Sequence, residues 1–307
     1  MAYYLGIDGG GTKTRCLLAD ETKVLAKEMA TSGGSNIVRL GEQQARQALD
    51  SAIRQACVSA KIASRQIGAI CIGAAGAARP DVTAKMRSIL RELIPEIPPE
   101  KIEVVGDSLI ALEAAFGAGP GVITIAGTGS IVYGRDSHGK TARAGGWGFA
   151  ISDEGSGHWI GRRAIAAVMS AFDEGMETVL TKLILQTWKL DGLDELVQQA
   201  NATPPPDFPS LLRIVMHAAD GGDAVASELL ADAGAKLAAL AAIVVHRLAP
   251  DAEGATLPLA MTGSVLRQSP QVRRFFYNAL QKGFPGIEVR PNLVEPVEGA
   301  LARARRL

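Results

Sequence analysis

At 307 residues, 47% hydrophobic and 21% charged, the chain is long enough for two compact cores and has the composition of an ordinary soluble protein. Its 32 basic and 32 acidic side chains cancel, which removes any broad electrostatic case for nucleic acid or an acidic membrane as partner. Three cysteines (Cys16, Cys57, Cys71) lack paired spacing, so neither a disulfide framework nor a metal cluster is expected, and a reducing, cytoplasmic setting fits.

The chain opens on a strand, a glycine turn and a second strand. Tyr4, Leu5 and Ile7 lead to Asp8, the glycines Gly9, Gly10 and Gly11, then Thr12-Lys13-Thr14 and a second short strand over residues 15–18. Glycines at such a tip let backbone N–H groups approach an anion, because no Cβ stands in the way. Thr12 and Thr14 add hydroxyls, Lys13 a charge directed at phosphate or solvent, and Asp8 a carboxylate where Mg²⁺ could sit beside phosphates. Asp8 and the glycines also interrupt the N-terminal apolar run, so no secretory leader is expected.

A third strand is expected over residues 24–31, then the polar loop Ser32-Gly-Gly-Ser-Asn36. Apolar residues at three- and four-residue steps predict a helix over 42–60. A strand over 67–72 leads into a small-residue loop, Gly73 to Ala78, and a helix over 80–93 follows. The strand over 102–105 delivers Gly106-Asp107-Ser108 at its carboxyl end, where open α/β sheets place ligands. Asp107 or Ser108 could equally cap the helix that follows.

Residues 121–133 repeat the opening: apolar strand, Gly127-Thr128-Gly129-Ser130, apolar strand, polar hairpin turn. This order matches residues 4–18 and predicts an internal duplication at the scale of a domain. Gly145-Gly146-Trp147-Gly148 and residues 151–157 come next, with Asp153 and Glu154 before a helix that starts near 154–158 and whose N–H groups favour carboxylates. Residues 174–222 are expected to be mostly helical and carry no chemical signature. A helix over 224–248 follows; its most apolar part, residues 237–248, is too short to span a bilayer and holds His246 and Arg247. A buried strand over 257–261 reaches a third glycine turn, Thr262-Gly263-Ser264. A helix over 272–281, a strand over 287–289 and a helix over 297–306 close the chain.

The common nucleotide signatures are absent. Lys13 follows Thr12 rather than a glycine, so no P-loop exists, and Val132 stands where a dinucleotide fingerprint needs its third glycine. Two opposed hairpin turns would bind phosphates differently, by donors from both walls of a cleft.

Together DGGGTKT, IAGTGS, GGWGFAISDEGSGHWIG and EPVEGALARAR resemble the N-acetylglucosamine kinase and BadF/BadG-type ATPase family of the actin, hexokinase and Hsp70 superfamily. The resemblance spans nearly the whole chain and is weakest over 174–222. It implies an α/β, two-domain, actin/hexokinase-like fold of duplicated ribonuclease H-like halves with a cleft between domains. The expected division is 1–117 plus 290–307 against 118–289. By resemblance, Gly10, Gly11, Thr12 and Lys13 belong to the first phosphate loop, Gly127, Thr128 and Gly129 to the second, and Gly263 and Ser264 to the adenosine loop. Asp107, beside Ser108, falls where sugar kinases of the family carry their catalytic base. The family's sugar contacts fall on Asn36, on Gly76 and Ala77, on Gly145, Gly146 and Trp147, and on Asp153. Asn36 could equally be a turn residue and Asp153 a helix cap.

The implied cofactors are ATP and Mg²⁺, the latter at Asp8; the implied partners are a small-molecule sugar and a second copy of the chain. The implied reaction is transfer of the γ-phosphate to an amino sugar, N-acetyl-D-glucosamine leading and glucosamine or a neutral hexose as alternatives. Mammalian N-acetylglucosamine kinases carry a serine and two glycines where this chain has Ala75-Gly76-Ala77, so one hydroxyl contact to the sugar is missing. The activator ATPases of acyl-CoA dehydratases hold an iron–sulfur cluster through cysteines near the second loop, and no cysteine follows Cys71. The cysteine-rich zinc motif of related repressors and kinases is absent as well. A sugar sensor without turnover is a third reading, disfavoured by the retained Asp107 and both phosphate loops.

Overall fold

The computed structural model describes residues 2–25, 28–77, 79–250 and 257–307. The chain divides into two compact units, Met1–Gly119 with Val294–Leu307, and Pro120–Leu293.

In the first unit, β1 (Tyr3–Gly9) and β2 (Lys13–Ala19) form the opening hairpin, and β3 (Ala30–Gly33) pairs antiparallel with β2. A short helix α1 (Ile37–Leu40) precedes α2 (Glu42–Ala60), then β4 (Ile67–Ala74), α3 (Pro80–Leu93), β5 (Ile102–Gly106) and α4 (Asp107–Phe116). The sheet runs β3-β2-β1-β4-β5, with β4 parallel to both β1 and β5. Leu5 and Ile7 of β1 meet Ala45, Leu49, Ala52, Ile53 and Ala56 of α2 and Met86, Ile89 and Leu90 of α3 in one buried core, which is why these helices carry apolar residues at helical spacing.

The second unit repeats this plan. β6 (Gly121–Ala126), β7 (Ser130–Arg135) and β8 (Thr141–Gly145) form an antiparallel meander. Helices α5 (Gly157–Asp173), α6 (Val179–Trp188), α7 (Leu193–Ala200), α8 (Leu212–Asp220) and α9 (Ala224–Leu248) follow, with a 3₁₀ turn at Phe208–Leu211. Then come β9 (Leu259–Thr262), α10 (Ser264–Gln268), α11 (Pro270–Gly283) and β10 (Val289–Leu293). The sheet runs β8-β7-β6-β9-β10, the first unit's order with the same antiparallel and parallel pairings. Both sheets place their glycine turn between the two central antiparallel strands.

The closing helix α12 (Pro296–Ala304) returns to the first unit and packs on β1, β4 and α4. A Cβ at Gly299 would lie 2.6 Å from the Ala114 nitrogen, so glycine sets how closely α12 and α4 approach. Arg303 pairs with Glu103 through a 2.8 Å Nε–Oε2 bond, and Arg306 reaches buried Glu113 at 2.8 Å.

Three expectations shift. The strand expected over 24–31 lies later, at Ala30–Gly33, and its residues 26–27 are outside the described residues, as is Ala78 of the small-residue loop. The last strand is Val289–Leu293 rather than 287–289. Helix α9 is 25 residues long and, by length and composition, apolar enough to cross a membrane, so the argument from residues 237–248 alone does not hold. Half of its apolar window is buried within the second unit, the pattern of a core helix.

Candidate active site

In the first unit the glycine turn is held from below. Gly10 N donates to Lys13 O at 3.0 Å, and Ser35 N donates to Gly10 O at 3.1 Å. Buried Thr14 donates its hydroxyl to Gly33 O at 2.7 Å and lies 2.8 Å from Ser35 Oγ, which can donate to it. The turn residues Gly11, Thr12 and Lys13 are left facing outward. Asn36 caps α1: its Oδ1 accepts from Val38 N at 3.0 Å and Arg39 N at 3.2 Å, which leaves its amide NH₂ to donate elsewhere. Val38 of that helix lies beside Gly76, whose φ of 84° suits glycine, and Ala77 is buried behind it.

Asp8 sits near the end of β1, across from Gly73 of β4, and Gly106, just before Asp107, is across from Ala74. Asp107 is the first residue of α4; its Oδ1 accepts from the adjacent Ser108 N at 2.8 Å, so it acts on its own helix start rather than from outside it. Each carboxylate keeps some accessible surface, but dense protein encloses both. Burial raises Asp107, with the Ser108 N–H pulling the other way. Asp8 is pushed up to about 7, by burial first and by the charge of Asp107 next, while Arg15 opposes. Arg15 is itself paired with Glu295 at 2.8 Å.

In the second unit, Gly127 N donates to Gly129 O at 2.9 Å to close the turn. The first amides of α5 hold it from behind: Gly157 N donates to Gly127 O at 2.8 Å and His158 N to Thr128 O at 3.2 Å. Asp153, buried with a φ of 74°, accepts from Ser130 N at 3.3 Å through Oδ1, and a Cβ at Gly129 would lie 2.9 Å from its Oδ2. The cap of α5 is Ser156, accepting from Trp159 N at 3.1 Å, so Asp153 serves the glycine turn instead. The third turn adjoins the second, with Ser264 N and Oγ each 3.8 Å from where a Gly127 Cβ would stand and Gly263 (φ 107°) pressed on the Ala126 backbone. Gly145 and Gly146, both at φ 72°, turn the chain so that Trp147 is 61% exposed, with the Arg143 guanidinium 3.9 Å over its ring.

The residues expected at the site thus fall into two groups. Asp8, Gly10, Gly11, Thr12, Lys13, Asn36, Gly76, Ala77, Asp107 and Ser108 belong to the first unit, and Gly127, Thr128, Gly129, Gly145, Gly146, Trp147, Asp153, Gly263 and Ser264 to the second. No group of three or more His, Cys, Asp or Glu side chains capable of holding a metal occurs among the described residues. Asp8 is the carboxylate that could hold a divalent cation, since a positive charge there would offset both its burial and the charge of Asp107.

Residues 5–304 match the BadF/BadG/BcrA/BcrD ATPase family. The chain belongs to that family. Among its relatives, the N-acetylmuramic acid/N-acetylglucosamine kinase of Clostridium acetobutylicum is 33% identical over 310 residues, covering 99% of each chain. A solved structure of a candidate N-acetylglucosamine kinase from Chromobacterium violaceum is 29% identical with a TM-score of 0.77, over 99% of each chain. A ROK family glucokinase from Streptomyces griseus, solved with glucose and AMPPNP, is 16% identical with a TM-score of 0.59 and covers all of both chains; that likeness is one of fold. In this member of the BadF/BadG family two residues at the first turn escaped sequence reading, Ser35 beneath it and Arg39 beside it. The only signal for the helix that carries Arg39 is a capping asparagine, Asn36, followed by Gly41.

Proposed function

We propose that the chain transfers the γ-phosphate of ATP to a hydroxyl of an amino sugar, with N-acetyl-D-glucosamine as the leading acceptor. The observation that carries this reading is Asp107: an enclosed carboxylate of raised proton affinity just past the carboxyl end of β5, the edge strand beside β4, in the unit that also holds the first glycine turn. The family and the named activities of its relatives support it.

In this reading, amides of Gly11 and Gly129, in turns that the Gly10 and Gly127 amides close, bind the phosphates with the hydroxyls of Thr12 and Thr128, and Lys13 balances their charge. Gly263 and Ser264 receive the nucleoside. The Asn36 amide, the loop at Gly76 and Ala77, Gly145 to Trp147 and Asp153 orient the sugar. Asp107 accepts the proton of the attacking hydroxyl, which suits a carboxylate whose proton affinity has been raised toward working pH. Asp8 holds Mg²⁺, directly or through water, and Mg²⁺ when bound supplies charge neutralisation at the phosphates. Phosphoryl transfer asks the protein for little more than this positioning.

The test is a panel of N-acetylglucosamine, N-acetylmuramic acid, glucosamine and glucose with Mg-ATP, read as ADP release. Stimulation by the N-acetylated sugars above the others is expected. ADP release that no sugar stimulates would overturn the reading.

A further inference from the structure

The short helix α1 lies against both ligand loops of the first unit. A Cβ at Gly34 would be 2.8 Å from the Gly11 carbonyl carbon, so the loop before the helix rests on the glycine turn; on the other side, Val38 Cγ2 is 3.2 Å from where a Gly76 Cβ would stand. The cap at Asn36 fixes the helix in this position. From it, Arg39 extends over the turn: its Nη1 lies 3.5 Å and its Cδ 4.0 Å from the Cβ position of Gly11. The side chain is exposed, and its guanidinium has neither an ion pair nor a hydrogen bond among the described residues. An arginine so placed is a fork of donors without an acceptor, beside amides already suited to an anion.

The geometry points to Arg39 as a phosphate-binding residue for the terminal phosphate of ATP. The first unit brings two carboxylates, Asp8 and Asp107, to this region, and together with a polyphosphate their negative charge exceeds that of Lys13 and one Mg²⁺, so further positive charge is needed. The helix stands between the nucleotide turn and the Gly76 loop, where the phosphate in transit passes from one ligand to the other. A planar guanidinium contacts two phosphate oxygens at once and stabilises charge that spreads over them during transfer. Helix α1 thereby couples sugar loop and phosphate turn through a single cap.

This role rests on the kinase reading, and the experiment separates the two. Titration calorimetry with ATP and with ADP, together with sugar-stimulated turnover, is applied to the wild-type chain and to Arg39→Ala and Arg39→Lys. For Arg39→Ala, kcat and ATP affinity are expected to fall about 10- to 100-fold, the range of a lost charge-assisted hydrogen bond. ADP affinity and Tm should change little, and guanidinium ion should restore part of the turnover. Arg39→Lys keeps the charge without the fork and should recover part of the loss, and it carries the test alone if the alanine variant fails to fold. A wild-type chain that binds neither nucleotide overturns the kinase reading and this role with it. Wild-type binding with unchanged ATP affinity and turnover in the variants, or equal loss of ATP and ADP, overturns the role of Arg39 alone.

Discussion

The charge of Asp107, at the start of α4, raises the proton affinity of Asp8 near the end of β1. With burial as the larger cause, Asp8 reaches about 7 from an ordinary 3.8. Between those pH values the folded chain holds a proton that the unfolded chain has released, so stability falls as pH rises from about 4 to about 7. Asp8→Asn removes that penalty. Calorimetry should find the variant with a higher Tm than the parent chain at pH 8, with the gap narrowing towards pH 4, and with Mg-ATP turnover lost; function is maintained here at a cost in stability. Equal melting temperatures at pH 8 would show that the carboxylate is not destabilised by its surroundings.

The proposed reading gives Asp107 the proton-transfer role, and its direction of shift fixes the pH response expected of it. A base works deprotonated, so kcat/KM falls on the acid side as pH drops through its raised value, above the ordinary 3.8. Asp107→Asn should lose at least about 10²-fold in kcat, the lower range for general-base assistance, and should lose the acid limb as well. The folded signature in circular dichroism should persist. Near-normal turnover in this variant would leave the attacking hydroxyl without its assigned base.

Asn36 has two ends with separable duties. Its Oδ1 caps α1, and its NH₂ is available to a sugar. Asn36→Asp keeps the cap and removes the donor, so KM for the sugar should rise with Tm nearly unchanged. Asn36→Ala removes both and should also cost about 1 kcal/mol of stability, as capping residues do. If the aspartate variant binds sugar as the parent does, the residue is only a cap.

The extent to which this structure is legible in the sequence follows from what each element depends on. The helices Glu42–Ala60 and Pro80–Leu93 agree with their predicted bounds because periodic apolar faces and a proline start are local signals. The edge strands Ala30–Gly33 and Val289–Leu293 were misplaced because neighbours define them: β3 is set by pairing Lys13 with Gly33, and β10 tolerates Pro291 because an edge strand need not donate on both sides. Helix α1, at four residues, has no period to read, so Arg39 went unnoticed. The glycine turns, Asp107 and the duplication were visible as residue types in order. That the Asp153 carboxylate grips Ser130, 23 positions away, is a tertiary fact with no local sign.

Residues 174–222 showed no chemical motif, yet they press on the helix that holds the second glycine turn. A Cβ at Gly161 of α5 would stand 2.6 Å from the Phe208 carbonyl carbon and 3.0 Å from its Cα, and the Phe208 ring lies edge-on 5.1 Å from His158. Backbone cannot swing aside as a side chain does, so Gly161→Ala must separate α5 from the Phe208–Leu211 turn. The overpacking cost is about 1–3 kcal/mol, against a gain in helix propensity of about 1 kcal/mol, and net destabilisation is expected in denaturant unfolding. Because Gly157 and His158 of the same helix donate to Gly127 and Thr128, KM for ATP should rise too. Gly283→Ala, at the end of α11 where nothing lies within 4 Å of the added methyl, is the control and should cost no stability and leave KM for ATP unchanged. If Gly161→Ala behaves like that control, the segment is not coupled to the turn.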